Sequence, residues 1–551
     1  MNALLVALNA SYVHTNLAVR LLRESTNRPV GLLEMTINES KDVMLQKILR
    51  ERPDAILYSA YIWNWAQIDM LGRYINKAFP EIKQYVGGPE VTYDSVERME
   101  EATWIDGILR GEGEESFDDF LAYLAGESAA DEVAGLVYRW GDKIQASPVS
   151  VPFSMEGLPA GYEEENLNHR IVYYESMRGC PYHCSYCLSS EDDVVRYRSV
   201  DEIKSHMRPI FQTGTKLVKF VDRSFHIRPA RTKEILRFFI DEAPEGMCIH
   251  FEMNLEHMCS DVAEVINAAP AGRFQIEAGI QSVNPEVNRR IHRSTNLDKM
   301  KRAMDMIDRE KVHIHVDLIV GLPGEDMESF LHGFDRVVPL GAKKIQIGFL
   351  KLLRGTELRR RAEEFHIIYD DQPPYEVIRT DVLDGNEVLL LKNFATIVEN
   401  YYDEDAFLAV KAEVKKLGLR PSEFYMAMAR KLEKTIHRMP LKNREGKYRF
   451  LYEFLKEEGL LDEVMYSALK EDFYFAENRY IGGVLPVEDP EVDRQSVVDY
   501  LKNNPALVPG WDPLKASKHV RGIHLPGRVR YLYYENGKYK HHKDERKDHG
   551  Q

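Results

Sequence analysis

The chain has 551 residues, of which 44% are hydrophobic and 29% charged. This composition is ordinary for a globular protein, and the length is too great for a single core. Lys and Arg total 73 against 88 Asp and Glu, a formal net charge of −15, which argues against broad binding to nucleic acid or anionic membranes. No apolar stretch approaches the roughly 20 residues that cross a bilayer, and the first residues, MNALLVALNASYVH, lack the basic lead-in of a signal peptide. We expect a cytoplasmic protein of about three domains.

Short apolar runs alternate with helical patterns at the start of the chain. Strands are expected at residues 3–8, 30–35, 55–58, 84–86 and 107–109, and helices at 42–51 and 67–79. This alternation predicts a parallel sheet covered on both faces. Ligands of such sheets lie beyond the carboxyl ends of the strands, where the strand order reverses.

A second alternating region follows a hairpin and a linker. The hairpin is expected at 131–151, around Gly141-Asp142, and the linker reaches residue 168. Six further strands are expected, at 171–177, 217–221, 249–253, 274–278, 313–320 and 344–350. Six strand–helix units predict a partial parallel barrel with its site at the carboxyl ends of the strands.

Beyond Pro373-Pro374 the pattern becomes helical. Amphipathic helices are expected at 387–401, 405–417, 422–437, 444–458 and 463–475, and a closing hairpin around Glu535-Asn536-Gly537. The locally basic tail 521–547 is expected to be a solvated, poorly ordered end, with a functional patch as the alternative. The aromatic stretch 471–480 is expected to be core.

The predicted fold class is therefore α/β. It comprises an N-terminal Rossmann-like (flavodoxin-like) domain, a partial (β/α)6 barrel and a C-terminal, mainly helical domain. The expected boundaries are 1–125 for the first domain, 126–168 for the hairpin and linker, 169–370 for the barrel and 371–551 for the helical domain.

Three of the five cysteines, Cys180, Cys184 and Cys187, form a C-x3-C-x2-C motif. Three thiolates can bind three irons of one cubane cluster, and the fourth iron then stays open to a small molecule. A structural zinc site would need four closed ligands, with His183 the nearby candidate. Such clustering is unlike an extracellular disulfide framework. The other two cysteines, Cys248 and Cys259, are expected to be small buried residues.

This motif, directly after the first barrel strand, resembles the radical S-adenosylmethionine (SAM) superfamily. The resemblance implies a [4Fe–4S] cluster on the three cysteines, whose open iron chelates the amino and carboxylate groups of SAM. One electron from the cluster would then cleave SAM to methionine and a 5′-deoxyadenosyl radical. The expected electron donor is a flavodoxin or ferredoxin.

Later motifs extend the resemblance. Asp222 follows the second strand, where the family often has Gly-Gly-Glu at the amino group of SAM, so this motif departs from the usual one. Glu277 to Ser282 resembles the E-x-G-x-Q-S element near the ribose, and 317–325 resembles the element that packs on adenine. Glu252 and Asn254 are weaker candidates, for which a structural role is an equal alternative. The SAM-binding residues so implied are Tyr186, Asp222, Glu252, Glu277, Gln281, Gly321, Gly324 and Glu325.

The N-terminal domain resembles a cobalamin-binding module. The small residues of Ser59-Ala60 and Gly87-Gly88 end the third strand and follow the fourth, where a large side chain would fill the slot for the nucleotide tail. The segment 111–114, Gly-Glu-Gly-Glu, resembles a loop of cobalamin-linked radical SAM enzymes. A flavodoxin-like sheet without cofactor is the alternative. The implied cobalamin-binding residues are His14, Ser59, Gly87, Gly88, Glu90 and Glu112.

The D-x-H-x-x-G motif of other cobalamin enzymes is not matched, because Tyr12 and Leu17 occupy its Asp and Gly positions. His14 lies in the corresponding loop. It could ligate cobalt, pack beside the corrin or make a hydrogen bond within the loop.

The resemblance implies methyl transfer to an unactivated carbon (or phosphorus) of a small-molecule or peptide substrate. One SAM would methylate cob(I)alamin and a second would provide the radical. The alternatives are a radical rearrangement, cyclisation or oxidation without methyl transfer, and a non-catalytic cobalamin- or redox-responsive binding protein. A methylthiotransferase is disfavoured, since neither a second cysteine triad nor a small RNA-binding β domain is found. The helical remainder resembles an uncharacterised branch of these proteins.

Overall fold

The computed structural model describes residues 1–149, 153–162, 165–190, 194–403, 405–487, 492–507, 510–535 and 537–546. The chain divides into two compact units. The first unit comprises Met1–Gly333, Leu340–Lys343 and Ile347–Gly385, and the second comprises Phe334–Pro339, Lys344–Gln346 and Asn386–Gln551. No helix in the described part of the chain is long and apolar enough to cross a membrane.

The first unit begins with a seven-stranded sheet. Its strands are β1 (Ala3–Asn9), β2 (Val30–Thr36), β3 (Ala55–Ser59), β4 (Lys83–Gly87), β5 (Gly107–Leu109), β6 (Leu136–Trp140) and β7 (Lys143–Ala146). Their order is β2-β1-β3-β4-β5-β6-β7. The first five strands are parallel, as the sequence pattern predicts, and β6 and β7 are antiparallel. Around them lie α1 (Leu17–Glu24), α2 (Lys41–Arg50), α3 (Trp65–Ala78), α4 (Pro89–Thr92), α5 (Ser95–Glu101) and α6 (Phe117–Leu124).

Strand β1 shows why this sheet is buried on both faces. Leu4, Val6 and Leu8 pack into one hydrophobic cluster, and the intervening residues pack into another on the opposite face. Successive side chains of a strand point to opposite faces, so a central parallel strand reads as a continuous apolar run. The hairpin β6–β7, which we grouped with the linker, instead extends this sheet. The reason is that the backbone of β6 pairs with β5, which would otherwise be an unpaired edge.

The partial barrel follows. Its elements are β8 (Ile171–Tyr174), β9 (Met177–Arg178), β10 (Arg196–Tyr197), β11 (Leu217–Phe220), β12 (Cys248–Glu252), β13 (Phe274–Gln281), β14 (His313–Val320), β15 (Lys344–Phe349), β16 (Ile368–Tyr369) and β17 (Val377–Arg379). The six barrel strands have the order β15-β14-β13-β12-β11-β8. The helices are α7 (Val200–Gln212), α8 (Pro229–Glu242), α9 (Ser260–Asn267), α10 (Pro285–Arg290), α11 (Leu297–Met306), α12 (Met327–Val337) and α13 (Glu357–Arg360).

The first barrel strand is shorter than the expected 171–177. It ends at Tyr174, because the backbone amides of Ser176 and Met177 donate to the carboxylate of Asp222 instead of continuing the ladder. The chain then turns, and Met177–Arg178 pairs antiparallel with Arg196–Tyr197. This turn places the cysteine motif beyond the carboxyl end of the barrel.

The second unit is mainly helical, as expected. Its helices are α14 (Gly385–Ile397), α15 (Leu408–Lys416), α16 (Pro421–Thr435), α17 (Arg444–Glu457), α18 (Glu463–Ala476), α19 (Arg494–Asn503) and α20 (Pro513–Ala516). Within the aromatic stretch, Phe473 and Tyr474 are completely buried, in agreement with a core position.

The expectation of a poorly ordered tail was wrong. Strands β18 (Val520–Leu525), β19 (Arg528–Glu535) and β20 (Lys538–Arg546) form a three-stranded antiparallel sheet. Ile523, Leu532 and Tyr534 are buried, so apolar side chains hold these strands although basic residues lie among them. The expected hairpin joins β19 to β20. Its residue Asn536, and Lys547 at the end of the tail, lie outside the described residues.

Gly72 tests the packing of α3 on the N-terminal sheet. A Cβ at this position would lie 2.4 Å from the ring of Trp104, which itself packs edge-on against Tyr58. Ala favours a helix over Gly by about 1 kcal/mol, but overpacking a core costs about 1–3 kcal/mol. We therefore expect Gly72→Ala to lower the free energy of unfolding by about 1 kcal/mol, measured by urea denaturation with tryptophan fluorescence.

Gly348→Ala is the matched control, because its Cβ would meet only the Leu318 carbonyl oxygen at an ordinary 3.7 Å. An unchanged or raised midpoint for Gly72→Ala would contradict this account of the packing.

Candidate cofactor and active site

The cysteine loop is held by its own backbone. The Cys187 amide donates to the Cys184 carbonyl at 3.0 Å, and the Ser185 amide donates to the Ile291 carbonyl at 3.1 Å. The loop follows Gly179, whose φ is +87° and whose added Cβ would lie 2.5 Å from the Val194 carbonyl oxygen. Glycine is thus required at the entry to the loop.

The three thiols are free, with Cys180 and Cys184 buried. Burial raises the pKa of the Cys180 thiol, and the charges of Cys187 and Cys184 raise it further. Three thiols close enough to repel one another as thiolates suit a shared cationic partner. No group of three or more His, Cys, Asp or Glu side chains among the described residues is arranged to hold a single metal ion. A cubane cluster does not need such a group, because each thiolate binds a different iron.

Two arginines beside this loop escaped the sequence analysis. Arg293 is half-buried, lies with Nη1 3.6 Å from the Cys184 sulfur and donates to the Gly279 carbonyl. Arg223 pairs with Glu252 at 2.9 Å, and the Cys187 and Cys180 charges help to raise its pKa. Both follow strands or helices of other barrel units, so no spacing along the sequence connects them to the cysteines.

Acidic residues of three neighbouring barrel strands lie close enough for their charges to interact. Glu252 is the register partner of Glu277, and Asp317 that of Gly279. Glu277 also lies 3.3 Å from His250, whose hydrogen bond lowers the pKa of Glu277. Burial, followed by the charges of Glu277 and Glu252, raises the pKa of Asp317 to about 8.

Several buried acceptors in this region have no hydrogen-bond partner. They include Oδ1 of Asp317, Oε1 of Gln281 and Oε2 of Glu325, and Gln281 adopts a positive φ of 67°. Buried acceptors without donors are costly, so they fit a ligand that brings hydroxyl or ammonium groups. Asp317 was quoted within a motif but not among our candidates, and its register beside Gly279 is what marks it.

The last predicted SAM-binding residues are close-packed. Gly321 and Gly324 have positive φ values of 85° and 78°, and a Cβ on Gly321 would lie 2.7 Å from Val377. Glu325 is buried and accepts a hydrogen bond from Ser282, and burial raises its pKa to about 7. Tyr186 packs against a hydrophobic cluster of the barrel.

Asp222 has a different set of partners from the one expected. Its buried carboxylate accepts hydrogen bonds from the amides of Ser176, at 2.7 Å, and Met177, at 3.1 Å, and from the Ser176 hydroxyl. Burial raises its pKa to about 7, although these bonds lower it. The geometry therefore makes Asp222 an anchor for the turn into the cysteine loop, because its oxygens are already used there.

The carboxyl edge of the N-terminal sheet contains a cavity of about 610 Å³. Gly88 has a φ of +108°, and its added Cβ would lie 2.5 Å from the Ala60 carbonyl oxygen. The cavity is a slot between the strand ends and helices α1 and α6. Its walls are mainly apolar and include the predicted residues Ser59, Gly87, Gly88 and Glu112. A mainly apolar slot lined by two glycines fits the tail of a corrinoid.

A second cavity, of about 710 Å³, lies where the two sheets of the first unit meet. The N-terminal domain contributes His14, Tyr61, Trp63, Glu90 and Glu114, and the barrel contributes Tyr173, Glu175, Arg178, Val221 and Arg223. Residues from the loops of both sheets thus face one space.

His14 is tied to the barrel. Its Nδ1 lies 2.7 Å from the Tyr173 hydroxyl, and its carbonyl accepts a hydrogen bond from Arg170. Burial, with the charges of Lys219 and Arg170, lowers the pKa of the imidazole, which is therefore neutral at pH 7. The imidazole thus makes a hydrogen bond from this loop to the barrel, and cobalt ligation and packing beside the corrin stay predictions.

Glu90 and Glu112 line the cavities but are already paired. Glu90 is buried, accepts hydrogen bonds from Tyr375 and Arg98, and its pKa is raised by burial. Glu112 pairs with Arg178 and Arg196. Direct contact with cobalamin stays a prediction for both.

Models of known families match three consecutive parts of the chain. The B12 binding domain matches residues 3–121, and the Radical SAM superfamily matches 174–337. A family described as a protein of unknown function (DUF4080) matches 363–525.

Curated relatives match about half of this chain. The cobalamin-dependent radical SAM methyltransferase TokK of Streptomyces tokunonensis is 24% identical over 311 residues, which are 52% of this chain and 45% of that protein. The anaerobic magnesium-protoporphyrin IX monomethyl ester cyclase of Rubrivivax gelatinosus is 25% identical over 320 residues, 54% of this chain and 56% of that protein. The chain therefore spans about half the length of these two relatives.

The fold is also that of a solved structure. The cobalamin-dependent S-adenosylmethionine radical enzyme OxsB, with aqua-cobalamin and S-adenosylmethionine bound, aligns with a TM-score of 0.60 and 14% identity. The alignment covers 94% of this chain and 83% of that one.

Gly88→Ala should weaken corrinoid binding. The added Cβ would collide with a backbone carbonyl that cannot move aside, and overpacking of about 1–3 kcal/mol corresponds to roughly tenfold in affinity. Corrinoid bound per chain, measured by absorbance, should fall while iron content is retained. Gly385→Ala, where the Cβ meets an ordinary contact at 3.7 Å, should bind like wild type, and equal binding by both variants would contradict the slot.

Asp222 should make stability depend on pH. Its pKa rises from 3.8 to about 7 on folding, so the native state holds a proton that the unfolded state has lost. The contribution of this group to the free energy of unfolding therefore falls as the pH rises from about 4 to 7 and is constant above. Melting temperatures of wild type and Asp222→Asn between pH 4 and 8 should show a smaller decline in the variant. An identical pH dependence would contradict the assignment.

The matched domains imply three cofactors: a [4Fe–4S] cluster and SAM for the radical SAM domain, and cobalamin for the B12 binding domain. The residues present fit these groups. The three thiols fit the cluster, the unpartnered acceptors fit SAM, and the glycine-lined slot fits cobalamin. The chain thus joins a B12 binding domain to a radical SAM domain, followed by a DUF4080 region, and it is homologous to cobalamin-dependent radical SAM methyltransferases.

Proposed function

We propose that this protein is a cobalamin-dependent radical SAM enzyme that methylates an unactivated carbon (or phosphorus) of a small-molecule or peptide substrate. The observation that carries the proposal is the cavity of about 710 Å³, whose walls come both from the cobalamin-binding sheet and from the barrel beside the cysteine loop. A substrate there would be within reach of both cofactors. When bound, these cofactors would supply a carbon-centred radical and a methyl group.

The residues of the chain bind and orient these groups. Cys180, Cys184 and Cys187 hold the cluster, and Arg293 fixes the Cys184 side by bridging its sulfur to the Gly279 carbonyl. Loops from two sheets line the cavity and would shield a bound substrate from water, which protects a reactive radical. The neutral His14 imidazole is held by Tyr173 in one orientation at the wall of this cavity.

We further propose the site residues that these surroundings support. The SAM site comprises Tyr186, Glu252, Glu277, Gln281, Asp317, Gly321, Gly324 and Glu325. The cobalamin site comprises His14, Ser59, Gly87, Gly88, Glu90 and Glu112. We keep the domain boundaries 1–125, 126–168, 169–370 and 371–551, and assign the hairpin β6–β7 within 126–168 to the first sheet.

The second candidate is a radical rearrangement, cyclisation or oxidation without methyl transfer. It is favoured by the similarity, at 25% identity, to a protein named as a monomethyl ester cyclase. The proposed setting for either reaction is the reducing cytoplasm, since all five cysteines are free thiols. The proposed electron donor is a flavodoxin or ferredoxin, and no nucleic acid is involved.

Methyl labelling separates the two candidates. Protein loaded anaerobically with iron, sulfide and cobalamin is reduced and incubated with SAM bearing a trideuterated methyl and a low-molecular-mass cell extract. We expect 5′-deoxyadenosine and a product heavier by one trideuteromethyl group, both detected by mass spectrometry. Cys180→Ala should reduce both to background, because it removes a cluster ligand.

Formation of 5′-deoxyadenosine with an altered but unlabelled product would favour the second candidate. A loaded, reduced protein that leaves SAM intact would exclude both and leave a binding protein.

A further inference from the structure

Arg178 connects the cysteine loop to the N-terminal sheet. It lies two positions before Cys180, and its side chain is only 14% exposed. Its guanidinium contacts Glu175 beside it at 2.6 Å, and Glu112 and Glu114 at 2.8 and 2.7 Å. The last two belong to the loop that follows β5 of the cobalamin-binding sheet.

A second guanidinium completes the cluster. Arg196 is the register partner of Arg178 in the β9–β10 ribbon, and its Nη1 donates to Glu112 at 2.8 Å. Two arginines thus face three carboxylates. Arg196 also donates to the Phe153 carbonyl, which holds it in place. We call these five side chains the Arg178 cluster: Glu112, Glu114, Glu175, Arg178 and Arg196.

Ionised groups of the Arg178 cluster shift the pKa values of their partners Arg178 and Glu112. Burial alone would lower the pKa of Arg178, but the charges of Glu175 and Glu114 outweigh it and raise the pKa. Burial raises the pKa of Glu112, and Arg196 and Arg178 reverse this and lower it. A buried ion pair is strongly destabilised when one partner is removed or displaced, because the other is left without compensation.

The Arg178 cluster also lies between the two cavities. Arg178 and Glu114 line both of them, so their side chains form part of the wall that the nucleotide slot and the shared cavity have in common. The carboxylate loop packs closely on its surroundings, since a Cβ on Gly113 would lie 2.9 Å from Leu22. A displacement of either loop changes the distances of these ion pairs.

We propose that Arg178 is a positioning residue that couples the two metal cofactors energetically. Occupation of the nucleotide slot fixes the Glu112–Glu114 loop, the fixed carboxylates hold Arg178, and Arg178 holds the entry to the cysteine loop. By linkage, the iron–sulfur cluster must then raise the affinity for cobalamin by the same factor as cobalamin raises the affinity for the iron–sulfur cluster. This inference rests on the cofactor assignment and is independent of whether a methyl group is transferred.

The test compares the affinity for hydroxocobalamin in the presence and in the absence of the iron–sulfur cluster. Dissociation constants are measured by absorbance titration for the full chain reconstituted with iron and sulfide, and for the same chain stripped by a chelator. For wild type we expect the reconstituted protein to bind about tenfold more tightly, within the common range of about 5–150-fold for coupled sites. In Arg178→Met the ratio of the two constants should fall toward one.

Two further variants keep the test informative if Arg178→Met folds poorly. Arg178→Lys retains the charge but cannot reach three carboxylates with one ammonium, so its ratio should be intermediate. Glu114→Gln removes one contact from the other side and should also lower the ratio. Adding Glu114→Gln to Arg178→Met should relieve the unpaired carboxylate and recover thermal stability without recovering the ratio.

The matched control is Arg208→Met. Arg208 also pairs with a carboxylate, that of Glu242, through two hydrogen bonds of 2.8 and 3.0 Å. This pair lies on the exposed surface of α7 and α8. Its ratio should equal that of wild type. A wild-type ratio near one would overturn the proposal. So would Arg178 variants in which both dissociation constants rise equally, because that outcome describes a role in folding alone. Loss of methyl transfer would leave this result unaffected.

Discussion

The structure depends on a backbone contact between the loop after β1 and the first strand of the barrel. The amide of Ile171 donates to the Val13 carbonyl at 2.6 Å, and the Thr15 hydroxyl donates to the Ile171 carbonyl at 2.8 Å. Strand β8 is the edge of the barrel sheet, and an unpaired edge exposes unsatisfied backbone groups. The loop satisfies those of Ile171, and in doing so it brings the carboxyl ends of the two sheets to one cavity.

Ionisable groups around that cavity fall into two kinds. Glu112 and Arg178 are paired, and their charged forms are favoured, which suits side chains that hold loops in place. The Oδ1 atom of Asp317 is buried without a hydrogen-bond partner, and burial raises the pKa of this carboxyl to about 8. A carboxyl of this kind is protonated at neutral pH, so it can donate as well as accept a hydrogen bond. The difference in pairing thus distinguishes the scaffold of the site from the part that fits a ligand.

The second unit shows buried acids used for structure alone. Asp472 accepts hydrogen bonds from the amides of Ala409 and Val410 at the start of α15, and Asp403 accepts one from Ile345. Burial raises the pKa of each to about 7. Both resemble Asp222 of the barrel in their partners. A raised pKa therefore identifies a ligand-binding group only where an oxygen is left without a donor.

The sequence by itself determined the two parallel sheets, the cysteine loop and the glycines of the slot, because strand periodicity, metal-ligand spacing and backbone conformation are local properties. Only the tertiary structure decided the partners of the ionisable residues. Asp222 is bonded to the turn before the cysteines, Arg293 reaches Cys184 from a distant loop, and Arg178 meets carboxylates of another sheet. These contacts join residues from different strand–helix units, and no pattern along the chain records which strand ends will meet.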